Sequence, residues 1–198
     1  DGSVTISLLD NNYNPNSEAY PVVIDVQDLS ASKTLTLKPA AGVSTIIKWN
    51  RDNGSILKIT SSYVIVDGSN TVNGTTRNMV IRNLSQNPST AIVIGSKGTT
   101  PVTNVTIKNC EIDNGKMYSD LTKAGIFAGD GTTYPNPGYF SNINITNNFI
   151  YNSGAGIYLN GGTNGTANGN SVTISSNLIN QINSIGYTGV YANGVNGL

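Results

Sequence analysis

Short apolar-x-apolar segments recur along the chain in two interleaved series, and this recurrence limits the fold more than any other feature. The first series is Val4-Thr5-Ile6, Leu35-Thr36-Leu37, Val64-Ile65-Val66, Val105-Thr106-Ile107, Ile143-Asn144-Ile145 and Val172-Thr173-Ile174, spaced by 31, 29, 41, 38 and 29 residues. The second is Ile24-Asp25-Val26, Leu57-Lys58-Ile59, Ile92-Val93-Ile94, Ile126-Phe127-Ala128, Ile157-Tyr158-Leu159 and Val190-Tyr191-Ala192, spaced by 33, 35, 34, 31 and 33. A period of two places the outer residues of each triplet on one face and the middle residue on the other. The outer residues are apolar in every copy and predict a shared interior. The middle residues vary freely, as an outer face would.

An antiparallel sandwich and a stacked coil both accommodate a strand pair that returns about every 33 residues. The coil is favoured because equivalent segments keep their phase. Segments 104–112 (NVTIKNCEI), 142–150 (NINITNNFI) and 171–179 (SVTISSNLI) align without gaps, as do AGIFAG, AGIYLN and TGVYAN in the second series. Extra residues fall between the strands, at 116–123 and 131–141, where a stacked core tolerates them. The expectation is an all-β chain: one right-handed parallel β-helix (β-solenoid) over residues 1–198, about six turns and about 29 Å long at the usual strand spacing. Neither end shows a capping helix or a charged cap, so the chain reads as a segment of a longer precursor or as a unit that joins end to end.

Composition supports this. Charged residues are 11% of the chain, against about 25% in an ordinary domain. The difference is taken up by turn formers, with 29 Asn and 22 Gly. The 11 basic and 11 acidic residues balance, which leaves no electrostatic source for nucleic-acid binding. No apolar run is long enough to span a membrane as a helix. The absence of His removes Ser-His-Asp and Cys-His catalysis and most zinc sites. The single Cys110 cannot form an internal disulfide. It aligns with Asn148 and Asn177 at the bend after the first strand, a column expected to form a buried amide ladder with Cys110 as a small apolar member. The opening Asp1-Gly2-Ser3 does not read as a signal peptide.

The run 33–42 (KTLTLKPAAG), then 56–69 (ILKITSSYVIVDGS), 76–84 (TRNMVIRNL) and 104–112, resembles large secreted or cell-surface β-helix repeat proteins of Bacteroidota and related bacteria, in the pectate-lyase-like fold class. The resemblance covers most of the chain. It implies a right-handed parallel β-helix, export to the cell surface or medium, and a parent longer than this segment. Members of that group carry many more turns and C-terminal sorting domains that this sequence lacks.

β-Helix lyases and hydrolases need clustered carboxylates with a Lys or Arg base. Asp25 beside Lys58 reads as a surface ion pair, and Asp113 and Asp130 read as single loop acids. Asp52-Asn53-Gly54 and Asp130-Gly131 are compatible with Ca²⁺, but turn formation alone accounts for them; no cofactor is expected and metal binding is left open. The outer residues Phe127, Tyr158 and Tyr191 fall on three successive turns. An exposed aromatic stripe there would suit sugar-ring stacking. The same residues would equally stack on one another to shield the sheet, contact a protein, or lie under the 131–141 loop with its Tyr134, Tyr139 and Phe140. The Thr5, Thr36, Thr106 and Thr173 column suggests an ice-binding plane, but Ile65 and Asn144 interrupt it. The expected function is a non-enzymatic extracellular structural or adhesive module. Its partners would be other copies joined end to end, further turns of the parent chain, or environmental polysaccharide. The alternative is a carbohydrate-binding or polysaccharide-lyase-like β-helix.

Overall fold

The computed structural model describes residues 2–162, 168–179 and 185–198. Six rungs follow one another along the chain. The first is β1 (Val4–Leu8), β2 (Asn12–Tyr13) and β3 (Val22–Ile24); the second is β4 (Leu35–Pro39), β5 (Thr45–Trp49) and β6 (Leu57–Ile59). The third is β7 (Val64–Asp67), β8 (Met79–Asn83) and β9 (Ser89–Ser96); the fourth is β10 (Val102–Lys108), β11 (Cys110–Asp113) and β12 (Lys123–Asp130). The fifth is β13 (Phe140–Thr146), β14 (Phe149–Tyr151) and β15 (Ser153–Asn160); the sixth is β16 (Thr173–Ser175), β17 (Leu178–Ile179) and β18 (Ile185–Asn193). Each rung gives one strand to each of three six-stranded parallel sheets, A, B and C, and no helix occurs among the described residues. The chain is a parallel β-helix, as the repeat requires.

Register follows the apolar columns. In sheet A, Leu35, Val64, Val105 and Ile143 stand over one another, and Leu37, Val66, Ile107 and Ile145 form the column beside them. All eight are buried in a core that the three sheets share. A fully buried Val, Leu or Ile contributes about 1.5–3 kcal/mol, so these columns are the main source of cohesion. The Thr column on the outer face of sheet A forms in register and is broken at Ile65 and Asn144.

Two points differ from the sequence reading. Each turn has three strands rather than two, because the tail of each aligned block is itself a strand of sheet B, set off by one sharp bend. The bend residues Asn109, Asn147 and Ser176 have φ of 58°, 53° and 56°, a left-handed conformation that Asn tolerates better than most side chains. The second difference is a register slip. The run Val22-Val23-Ile24-Asp25-Val26 satisfies apolar alternation in two settings. The structure pairs Val22 with Leu57 and Ile24 with Ile59, so Val23, not Asp25, stands beside Lys58. Asp25 instead pairs with Lys97 at 2.5 Å, and that hydrogen bond holds its carboxyl below the usual range.

Polar ladders bind the corners between rungs. Asn148 Oδ1 accepts from the Cys110 amide at 3.0 Å, and Asn177 Oδ1 accepts from both the Asn148 amide and its Nδ2 at 2.9 and 3.0 Å. Asn147 donates to Asn109 Oδ1 and Asn109 to Asp67, each at 2.7 Å. The long loop after β7 adds a tie across two rungs: Arg77 donates to the Asn147 carbonyl (2.8 Å) and side chain (2.7 Å), and Asn147 donates back to the Thr75 carbonyl. Cys110 is fully buried, and burial pushes its thiol well above the ordinary value.

Candidate groove over the third sheet

The outer face of sheet C carries a groove of about 690 Å³, within the size range of small-ligand sites. Its floor is one outward column, Lys58, Val93 and Phe127, placed in line by the pairing of β6, β9 and β12. One wall is built where the chain passes from sheet B to sheet C: Arg51 and Asn53 to Ser55, Pro88 with the first two residues of β9, and Asp120 to Thr122. The other is formed by Asp130, which is the last residue of β12 and not a loop acid, and by the connection 131–135 that leads back to sheet A.

Tyr134 spans the top of the groove. Its ring packs edge-on against Phe127 at 4.8 Å, and its hydroxyl donates to the Leu121 carbonyl on the opposite wall. Two glycines permit this fold-back. A Cβ on Gly129 would lie 2.2 Å from Phe127 Cζ, and one on Gly138 would lie 2.1 Å from the Gly129 carbonyl carbon. Of the arrangements the sequence leaves open, the structure therefore selects the stacked and loop-covered one over the exposed stripe. Phe127, Tyr158 and Tyr191 do stack on successive rungs, with centroids 5.3 Å apart at each step. However, Phe127 and Tyr158 are buried beneath the 131–139 connection, and Tyr191 is half-buried. Burial raises the Tyr134 and Tyr158 phenols above their usual titration range. The aromatic ring left partly open over the groove is Tyr134.

The acids around the groove are held in local turns. Asp120 Oδ1 accepts from the Thr122 amide and hydroxyl at 2.8 and 2.5 Å. Asp130 Oδ1 accepts from the Thr132 amide and hydroxyl at 2.8 and 2.9 Å. Asp52, beside Arg51, accepts from Ser85 Oγ at 2.5 Å and Asn87 Nδ2 at 3.0 Å, which lowers its pKa. These carboxylates brace loops. Among the described residues, no group of three or more acids or thiols is placed to hold a metal ion. The wall adds hydroxyl and backbone groups from Ser55, Thr90 and Thr133 beside a floor of Lys58, Val93 and Phe127, a surface suited to hydrogen-bonding a polyhydroxylated ligand.

A second polar assembly, missed in the sequence, lies on the outer face of sheet B. Asp113 is not a lone loop acid but the last residue of β11. Arg82 Nε is 2.7 Å from its Oδ2 and Arg82 Nη2 3.8 Å from Glu111 Oε1. Tyr151 donates to Glu111 at 2.5 Å and accepts from Arg82 at 3.3 Å, while Asn152 and the Gly115 amide satisfy the other Asp113 oxygen. The available signal was Glu111-x-Asp113: two carboxylates two residues apart on a strand share a face, with Arg82 one rung below. Its members satisfy one another in a network that fastens three rungs together.

Behind the wall of the groove, Lys123 is fully buried. Its ammonium donates to the Ser85 carbonyl at 2.6 Å and lies 5.2 Å from the centre of the Tyr118 ring. Desolvation lowers its pKa from 10.5 to about 8. No protein-family model, curated protein or solved structure matches the chain.

Proposed function

We propose that this chain is a non-enzymatic, extracellular structural or adhesive β-solenoid module that holds a glycan in the groove over sheet C. The groove itself is the observation that carries this reading: the partly open Tyr134 ring over the register-fixed column of Lys58, Val93 and Phe127, between walls that carry hydroxyl and backbone groups. Sugar recognition needs both an apolar face for the ring and convergent polar groups for its hydroxyls. A binding role is favoured over a lyase role because the wall carboxylates are committed to the adjoining Thr122 and Thr132. Screening the purified chain on a glycan array tests the proposal, with Thr133→Trp as the variant that fills the groove from an exposed position. Binding that survives the substitution unchanged removes the groove from the account. Release of unsaturated products from polyuronates would replace it with the lyase reading.

A second reading, longitudinal assembly, rests on a different observation. Val4 and Ile6 on the first rung are 54% and 45% exposed, and Val190 on the sixth is 40% exposed. Their register equivalents Leu35, Leu37 and Ile157 are buried. Further rungs of the same chain or a second copy would cover these edges. Sedimentation velocity across a concentration series tests this, and a monomer at all concentrations argues against assembly between copies.

A further inference from the structure

The groove is polarised along its length. Its upper end sets Tyr134, Phe127 and Leu121 between Asp120 and Asp130, and its lower end presents Arg51 and Lys58. Neither cation forms an ion pair among the described residues, where the paired cations are Arg82, Lys97 and Lys108. Asp25, the acid in electrostatic reach of Lys58, is bonded to Lys97. Asp120 and Asp130 are engaged with their own Thr neighbours. The lower end therefore presents two cations without ion-pair partners among the described residues, set apart from the charged Asp120 and Asp130 on the fourth rung.

Arg51 is also held in place before any ligand arrives. Its backbone amide donates to Asn83 Oδ1 at 2.9 Å, and its carbonyl accepts from Asn83 Nδ2 at 3.1 Å. Its guanidinium stacks over the Trp49 ring at 5.7 Å. Its stem lies against Gly54, where an added Cβ would be 3.0 Å from Arg51 Cγ. Yet Nε is shielded from solvent and has no hydrogen-bond partner. A buried donor without an acceptor is costly. Because Nε is shielded, an incoming carboxylate or sulfate would meet the two terminal nitrogens of the partly exposed guanidinium, which can form two parallel hydrogen bonds to it.

We propose that the ligand of this groove is an acidic oligosaccharide. Its anionic group binds Arg51 with Lys58 beside it, and a neutral ring lies toward Tyr134. This rests on the glycan reading and adds the charge and orientation of the ligand. Calorimetric titration with three oligosaccharides of equal length, one neutral, one uronate-bearing and one sulfated, tests it. An acidic ligand is expected to bind at least about tenfold more tightly than the neutral one, a difference of about 1.4 kcal/mol. That preference should weaken with added salt. Arg51→Met should abolish the preference for the acidic ligands over the neutral one. Arg51→Lys, which keeps the charge but loses the fork, should fall between, and the melting temperature of each variant checks its fold. The stronger of the two acidic ligands identifies carboxylate or sulfate as the recognised group. Equal binding of neutral and acidic ligands, or an Arg51→Met variant that keeps the preference, overturns this proposal and leaves the glycan reading standing. No binding of any of the three overturns both.

Discussion

Lys123 Nζ sits 2.6 Å from the carbonyl oxygen of Ser85, buried and without a carboxylate partner. Because its pKa falls from 10.5 to about 8 on folding, the unfolded chain binds more protons between those two values. Stability must therefore rise with pH from about 8. The tyrosines act in the opposite sense: burial raises Tyr20 to about 12, so its contribution is lost as pH climbs above about 10. Urea midpoints measured from pH 7 to 11 should rise and then fall. Lys123→Met should flatten the rising limb and raise stability at pH 7 by about 1–2 kcal/mol, as when a buried charge is replaced by an apolar group. A midpoint that falls steadily from pH 8 would contradict this account of Lys123.

Phe127 is the keystone of the aromatic stack, touched by Val93, Tyr134 and Tyr158. Phe127→Ala should cost about 3–5 kcal/mol, read as a lower urea midpoint with unchanged slope. Tyr134→Phe keeps the ring but loses the hydroxyl bridge to Leu121. It should cost only about 1 kcal/mol and increase hydrogen exchange in the 131–139 connection.

The amide ladder makes a separate demand. Asn148→Ala removes the acceptor of the Cys110 amide and the donor to the Ile107 carbonyl. Both are buried, so a loss of about 2–4 kcal/mol is expected. Hydrogen exchange resolved by residue should show Cys110 losing protection first. Asn177→Ala, on the more exposed sixth rung, should cost less.

Cys110 should resist thiol reagents in the native state, because it is fully buried with a raised pKa. Labelling by a disulfide-exchange reagent should follow the global unfolding rate across a denaturant series. Rapid labelling in buffer alone would show that the corner between sheets A and B opens locally.

The repeat disclosed the fold because a stacked coil writes its vertical contacts into the sequence at a nearly constant interval. Five of the six second-series strands and all six of the first stand where the alternation puts them. What escaped was information that alternation does not carry. Val22 to Val26 fits two registers, and only pairing against Leu57 and Ile59 chooses between them. Sheet B escaped as a separate layer because a single left-handed residue, such as Asn109 or Asn147, is enough to turn the chain without a visible break in the pattern. The aromatic column was legible as a stack and the 131–141 loop as one candidate cover, but alternation alone could not choose that cover over an exposed stripe. The fold-back of Tyr134 depends on the close approach of Gly138 to Gly129, a contact with no periodic signature. The groove is a product of that cover and of three loops of unlike length, so no single stretch of sequence announces it.

A stacked coil whose rungs touched only their immediate neighbours would peel open one layer at a time when pulled from its ends. The clasp of Arg77 on Asn147 joins the third rung to the fifth, so the middle of the rod cannot shed a single layer without breaking that grip. Under tension the sixth rung should unravel first at low force, and the third, fourth and fifth should give way together in one larger step. For a protein that tethers or spaces other bodies, this would place a mechanical fuse near its midpoint.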